Sequence, residues 1–126
     1  MDQKKLIVFF KITFFIWLFF IFIISVYPGN LIGLLLKGDP TTYPGGDKIS
    51  HFISYLALSI LGVLALDFKK KGKVIIIFMT LFSIIMEVVH LYIPNRYYEN
   101  LDLVMNILGT YCGLVFFYLK RFKLFT

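Results

Sequence analysis

The chain has 126 residues, 60% of them hydrophobic and 16% charged, with a formal net charge of +6 at pH 7. That composition lies outside the usual range for a soluble globular domain and indicates a membrane protein. The cations border apolar stretches rather than forming a continuous basic face, so the charge does not indicate a nucleic-acid partner.

A membrane-crossing helix needs roughly 20 predominantly apolar residues. Four stretches meet that requirement, at about 6–27, 47–66, 74–93 and 100–119. They predict an all-α fold, an integral membrane bundle of four transmembrane helices forming a single domain over 1–126. The first stretch follows "MDQKK" as a signal peptide would, but it exceeds the ~7–15 residues of a signal-peptide apolar region and no small-x-small cleavage site follows. It therefore reads as a retained anchor, with Lys11 extending its ammonium back toward the headgroups.

The connection "PGNLIGLLLKGDPTTYPGGDK" is broken by Pro and Gly at both ends, and its "LIGLLL" is too short to cross. An interfacial or re-entrant segment on the outer side is one expectation, and a loop tucked against the bundle is the other. Lys4, Lys5, Lys11, Lys69, Lys70, Lys71, Lys73, Lys120, Arg121 and Lys123 flank one side of the spans, against Lys37, Lys48 and Arg96 on the other. This asymmetry predicts a multi-pass protein with both termini and the "DFKKKGK" loop cytoplasmic. Cys112 is the only cysteine, which rules out an intrachain disulfide.

Helical spacing places Asp47, His51, Ser54 and Gly62 on one face of the second span. The same reading groups Thr80, Ser83, Glu87 and His90 on the third span, and Asp102, Asn106, Gly109 and Gly113 on the fourth. Unsatisfied polar groups are costly in hydrocarbon, so the three stripes are expected to face one another. With the third span leaving the membrane near Ile93, Glu87 falls ~9 Å below the outer boundary at 1.5 Å per residue. Asp47, His51, Glu87, His90, Arg96, Asp102 and Asn106 then converge in the outer half of the bundle.

Ser54, Ser83, Asn106, Gly109 and Gly113 have a packing explanation. Tyr92, Tyr97 and Tyr98 read as interface-belt aromatics. An intramembrane Glu87 is a functional candidate by default, with a Glu87–Arg96 or Glu87–His51 pair as its structural alternative. Glu87 and His51 are the candidate acid–base residues. Asp47, Lys48, Arg96, Asp102 and Asn106 are the candidate ligand-binding residues. Arg96, Lys48 and outward-facing helix N-termini suit an anion. "EVVH" has the Glu-x-x-His spacing of di-iron bundles in a single copy, and Asp47, His51, Glu87 and His90 offer mixed zinc donors. Neither is sufficient, so no metal or other cofactor is expected.

"DKISHFISYLAL", "MEVVHLYIPNR" and "NLDLVMNILGTYCG" together resemble the signature segments of the VanZ-like family of small bacterial membrane proteins. The positions that carry the resemblance are Asp47, Lys48, His51, Phe52, Tyr55, Glu87, Pro94, Arg96, Asp102, Asn106 and Gly109. His90 departs from it, standing where the family commonly has Gln. The resemblance implies a bacterial cytoplasmic-membrane protein, and its namesake is associated with low-level resistance to the glycopeptide teicoplanin. Two functions follow as expectations. One is binding of an anionic envelope component, a lipid-linked phosphate or cell-wall precursor group. The other is a membrane hydrolase or transferase acting on such a substrate.

Overall fold

A computed structural model of the chain describes residues 2–42, 48–66 and 68–124. Most of the described residues are helical, and none lies in a strand. α1 (Gln3–Val26) starts at Asp2, whose carboxylate accepts a long bond from the Lys4 N–H at 3.4 Å, and it ends before Pro28 and Gly29. Gly29 has φ +103°, a conformation open to glycine, and an added Cβ would sit 2.8 Å from the Pro40 carbonyl oxygen.

The "LIGLLL" segment is a seven-residue helix, α2 (Leu31–Lys37). The Asn30 side chain caps its start by accepting from the Gly33 N–H at 2.8 Å, and Gly38 ends it in the left-handed conformation. The Asn30 N–H also reaches the Pro40 carbonyl at 2.8 Å, closing the loop around the helix. None of its residues is buried, and Leu35 and Leu36 are about three-quarters exposed. α2 is therefore a surface helix rather than a loop packed into the bundle.

α3 (Lys48–Ala65) and α4 (Phe68–Val88) follow with almost no connection between them. The predicted "DFKKKGK" loop is instead the beginning of α4 from Phe68 onward, with Asp67 outside the described residues. Lysine is a good helix former, and Lys70, Lys71 and Lys73 keep their charges in water, so the helix starts before the apolar run does. At its other end α4 stops at Val88, tightens into a 3₁₀ turn at Val89–Leu91, and gives way to a connection containing Pro94 and Asn95 at φ +57°. Glu87 thus lies in the last α-helical turn, closer to the helix end than the expected exit near Ile93 implied, because Pro94 disfavours helix in the residue before it. α5 (Asn100–Leu124) completes the chain, with the Glu99 carbonyl accepting from the Asp102 and Leu103 N–H groups.

α3 is the central element, packed most extensively on α5 and then on α1. Phe14, Leu58, Val63, Met79 and Leu114 form the middle of the core. The α3–α5 approach depends on two glycines. A Cβ at Gly109 would overlap the Phe52 carbonyl oxygen, and one at Gly113 would overlap the Ser59 hydroxyl and lie 2.9 Å from the Leu56 carbonyl oxygen. Trp17 Nε1 donates to the Ser54 carbonyl at 3.0 Å and holds α1 against α3.

Three helical segments, Gln3–Val26, Lys48–Ala65 and Lys70–Leu91, are long and apolar enough to cross a membrane. The fourth expected stretch is helical within α5, but its described apolar part, Asn100–Phe116, is shorter.

Candidate functional site

The first turn of α3, the last turn of α4 with its 3₁₀ extension, the 92–99 connection and the first two turns of α5 meet at one end of the bundle. There the structure brings together Lys48, His51, Glu87, His90, Arg96, Asp102 and Asn106. Asp47 lies outside the described residues.

Glu87 is at the centre and is 0% exposed. Its Oε1 accepts from the Glu99 backbone N–H at 3.2 Å and from His90 Nδ1 at 3.3 Å. Its Oε2 is buried without a hydrogen-bond partner among the described residues, with His51 Nδ1 3.9 Å away. Ionised carboxylates are rarely buried without several donors, so this open oxygen is the least satisfied feature of the site.

The ring orientations follow from what the neighbours can do. Arg96 has donors only, so its Nη2 donates to His90 Nε2 at 2.9 Å, and the His90 proton lies on Nδ1 toward Glu87. Asn106 Oδ1 only accepts, so His51 donates through Nδ1 at 2.8 Å. The Asn106 amide is oriented in turn by a long bond to the Ser83 carbonyl at 3.5 Å. His51 Nε2 is thereby left facing Asp102 Oδ2 at 3.6 Å. Lys48 Nζ joins Glu99 Oε2 at 2.7 Å to Asp102 Oδ1 at 3.3 Å.

Neither Glu87–Arg96 nor Glu87–His51 is a direct hydrogen-bonded pair. Arg96 reaches Glu87 only through His90, while Arg96 Nη1 donates to the Gly29 carbonyl at 3.0 Å and ties the start of the α2 loop to the site. Thr42 adds a second tie by donating to the Asn95 carbonyl at 2.6 Å. Burial lowers the Arg96 pKa from its ordinary value, opposed by the charges of Glu87 and Asp102, and the guanidinium stays a cation. His90 is the link between arginine and carboxylate.

A cavity of about 250 Å³ opens beside this network. Phe20, Ile21 and Ile24 of α1 form one wall, and His51, Arg96, Glu99 and Asp102 face it from the other elements. Tyr55 also lines it, and its buried hydroxyl has no hydrogen-bond partner among the described residues.

Sequence reasoning missed Glu99 and the cavity-lining role of Tyr55. Glu99 was legible as an acidic residue beside a helix N-terminus, on the same side as Lys48. The α1 contribution carried no signal, since its lining residues look like any others in an apolar run. No protein-family model, no curated protein and no solved structure matches the chain.

Proposed function

We propose that this is a VanZ-like integral membrane protein of the bacterial cytoplasmic membrane, with four spans and both termini cytoplasmic. Its site end faces outward and holds the polar group of an anionic envelope component, a lipid-linked phosphate or a cell-wall precursor. Through that ligand it contributes to glycopeptide resistance of the teicoplanin type.

The observation that carries this reading is the divided lining of the cavity, mainly aliphatic and aromatic from α1 and polar or ionic from α3, α5 and the 92–99 connection. A lipid-linked headgroup has the same division at the junction of chain and polar group. Arg96 uses two N–H groups in the bonds to Gly29 and His90, leaving guanidinium donors for an anionic oxygen. The exposed apolar side chains Phe15, Ile16, Phe19, Ile77, Leu81 and Val115 on α1, α4 and α5 support lipid as the surrounding medium.

The grouping of His51, Glu87 and Asp102 favours a second reading, a membrane hydrolase or transferase acting on the same class of molecule. In it the unprotonated His51 Nε2 serves as general base, held in position through Nδ1 by Asn106.

Mass spectrometry of lipids copurifying with the full chain tests the binding reading. It expects an anionic lipid-linked species that is lost from the Arg96→Ala protein. Recovery of the same lipids from both proteins would sink it. In a Cys112→Ser background, Thr42→Cys is expected to react with an impermeant thiol reagent on intact cells and Lys71→Cys is not. The opposite pattern would place the site on the cytoplasmic side.

A further inference from the structure

We propose that His51, Glu87 and Asp102 form a binding site for one divalent cation of the zinc type. The inference is independent of the lipid reading, since all three donors belong to the chain itself.

Three observations converge on it. One donor atom from each of His51, Glu87 and Asp102 lies within 4.8 Å of the other two. Glu87 Oε2 belongs to a fully buried side chain and has no hydrogen-bond partner among the described residues, although it lies among these groups. Asn106 fixes the proton of His51 on Nδ1, so the lone pair on Nε2 faces a carboxylate oxygen of Asp102 at 3.6 Å. Two lone pairs opposed at that distance are unfavourable until a positive species lies between them. A histidine that donates through one nitrogen to an oxygen acceptor and presents the other toward a carboxylate has the arrangement found behind metal-ligating imidazoles.

The donor set suits the ion. One imidazole and two carboxylates are hard-to-borderline ligands, and three protein donors leave a fourth position open in a tetrahedral site. Zinc donors at about 2.0–2.2 Å from the ion stand at most about 4 Å apart, so the three side chains close slightly inward on loading. His90 is not part of the set, because its two nitrogens are engaged by Glu87 and Arg96. Lys48 occupies Asp102 Oδ1 and leaves Oδ2 to the ion. His51 and Asp102 line the cavity, so an open coordination position there is accessible to an anionic oxygen.

The test uses the full chain, free of any affinity tag, stripped with chelator in detergent and titrated with zinc under calorimetry, with cobalt(II) as a visible-absorption probe. The expected result is one equivalent of zinc bound with a Kd of about 1 μM or tighter, together with tetrahedral cobalt bands. His51→Gln and Asp102→Asn are expected to weaken binding more than about 100-fold, and Asn106→Ala, which frees the ring, by about 10–100-fold. Absence of saturable binding by the folded unmodified chain would overturn the proposal, whether or not the variants fold. So would zinc binding that survives within about threefold in either ligand variant.

Discussion

The middle of the bundle and its site end are built from the same three helices, α3, α4 and α5, and both bury polar side chains, but the bonds run differently. In the middle, Ser59 donates to the Leu56 carbonyl at 2.9 Å, Ser83 to the Thr80 carbonyl at 2.8 Å and Thr110 to the Asn106 carbonyl at 2.8 Å. Each is satisfied within its own helix, three or four residues back, and needs nothing from its neighbours. At the site end Lys48, His51, Glu87, Arg96 and Asn106 all find partners on other elements, and one buried carboxylate oxygen has no hydrogen-bond partner. A polar stripe on an apolar helix therefore has two meanings. Short hydroxyls that satisfy themselves are packing, whereas long ionisable groups that must reach across mark a site.

The sharpest way to break the comparison is to attack the middle. Gly113→Leu drives a side chain into the Ser59 hydroxyl and the Leu56 carbonyl, where backbone leaves little room to yield. A loss of about 3 kcal/mol or more is expected, read as a collapse of the thermal transition in detergent. A transition within a few degrees of the unmodified protein would mean that α3 and α5 do not touch as described.

Arg96→Ala has the next largest effect, because it removes a donor to Gly29 and the partner of His90 together. The expected cost is about 2–3 kcal/mol. Arg96→Lys is expected to recover little of it, since one ammonium does not match the planar fork that meets both acceptors. Full recovery by lysine would reduce Arg96 to a charge and remove its positioning role.

Glu87→Gln sharpens the comparison with the smallest change in stability. The amide keeps an acceptor for the Glu99 N–H and His90 Nδ1, and the oxygen it replaces had no hydrogen-bond partner. Stability is expected to stay within about 1 kcal/mol while ligand or zinc binding falls at least about tenfold. Equal loss of both would make Glu87 part of the scaffold, like the serines in the middle.

Much of this was readable from the residues. Apolar length identified the helical stretches, because a run of twenty such residues has few other structures open to it. Helical spacing drew Glu87 and His90 onto one stripe and Asp102 and Asn106 onto another, because the period of a helix is set by its backbone. The helix limits were less legible: lysines at Lys70, Lys71 and Lys73 look like a loop in a hydropathy reading yet join α4 once their charges reach water.

Pairing was decided only in three dimensions. Sequence placed Arg96 near Glu87 but not His90 between them, because which donor meets which acceptor depends on the turn at Asn95 and the 3₁₀ tightening at Val89–Leu91. Glu99 meets Glu87 through its backbone N–H, a group every residue but proline carries, so that contact, unlike its acidic side chain beside Lys48, is announced by no pattern of side chains. The apolar wall came from Phe20, Ile21 and Ile24, which in the sequence look like any other apolar residue of α1. A sequence determines which groups are costly to bury, while the packing of distant segments determines which of them end beside one another and which oxygen is left open.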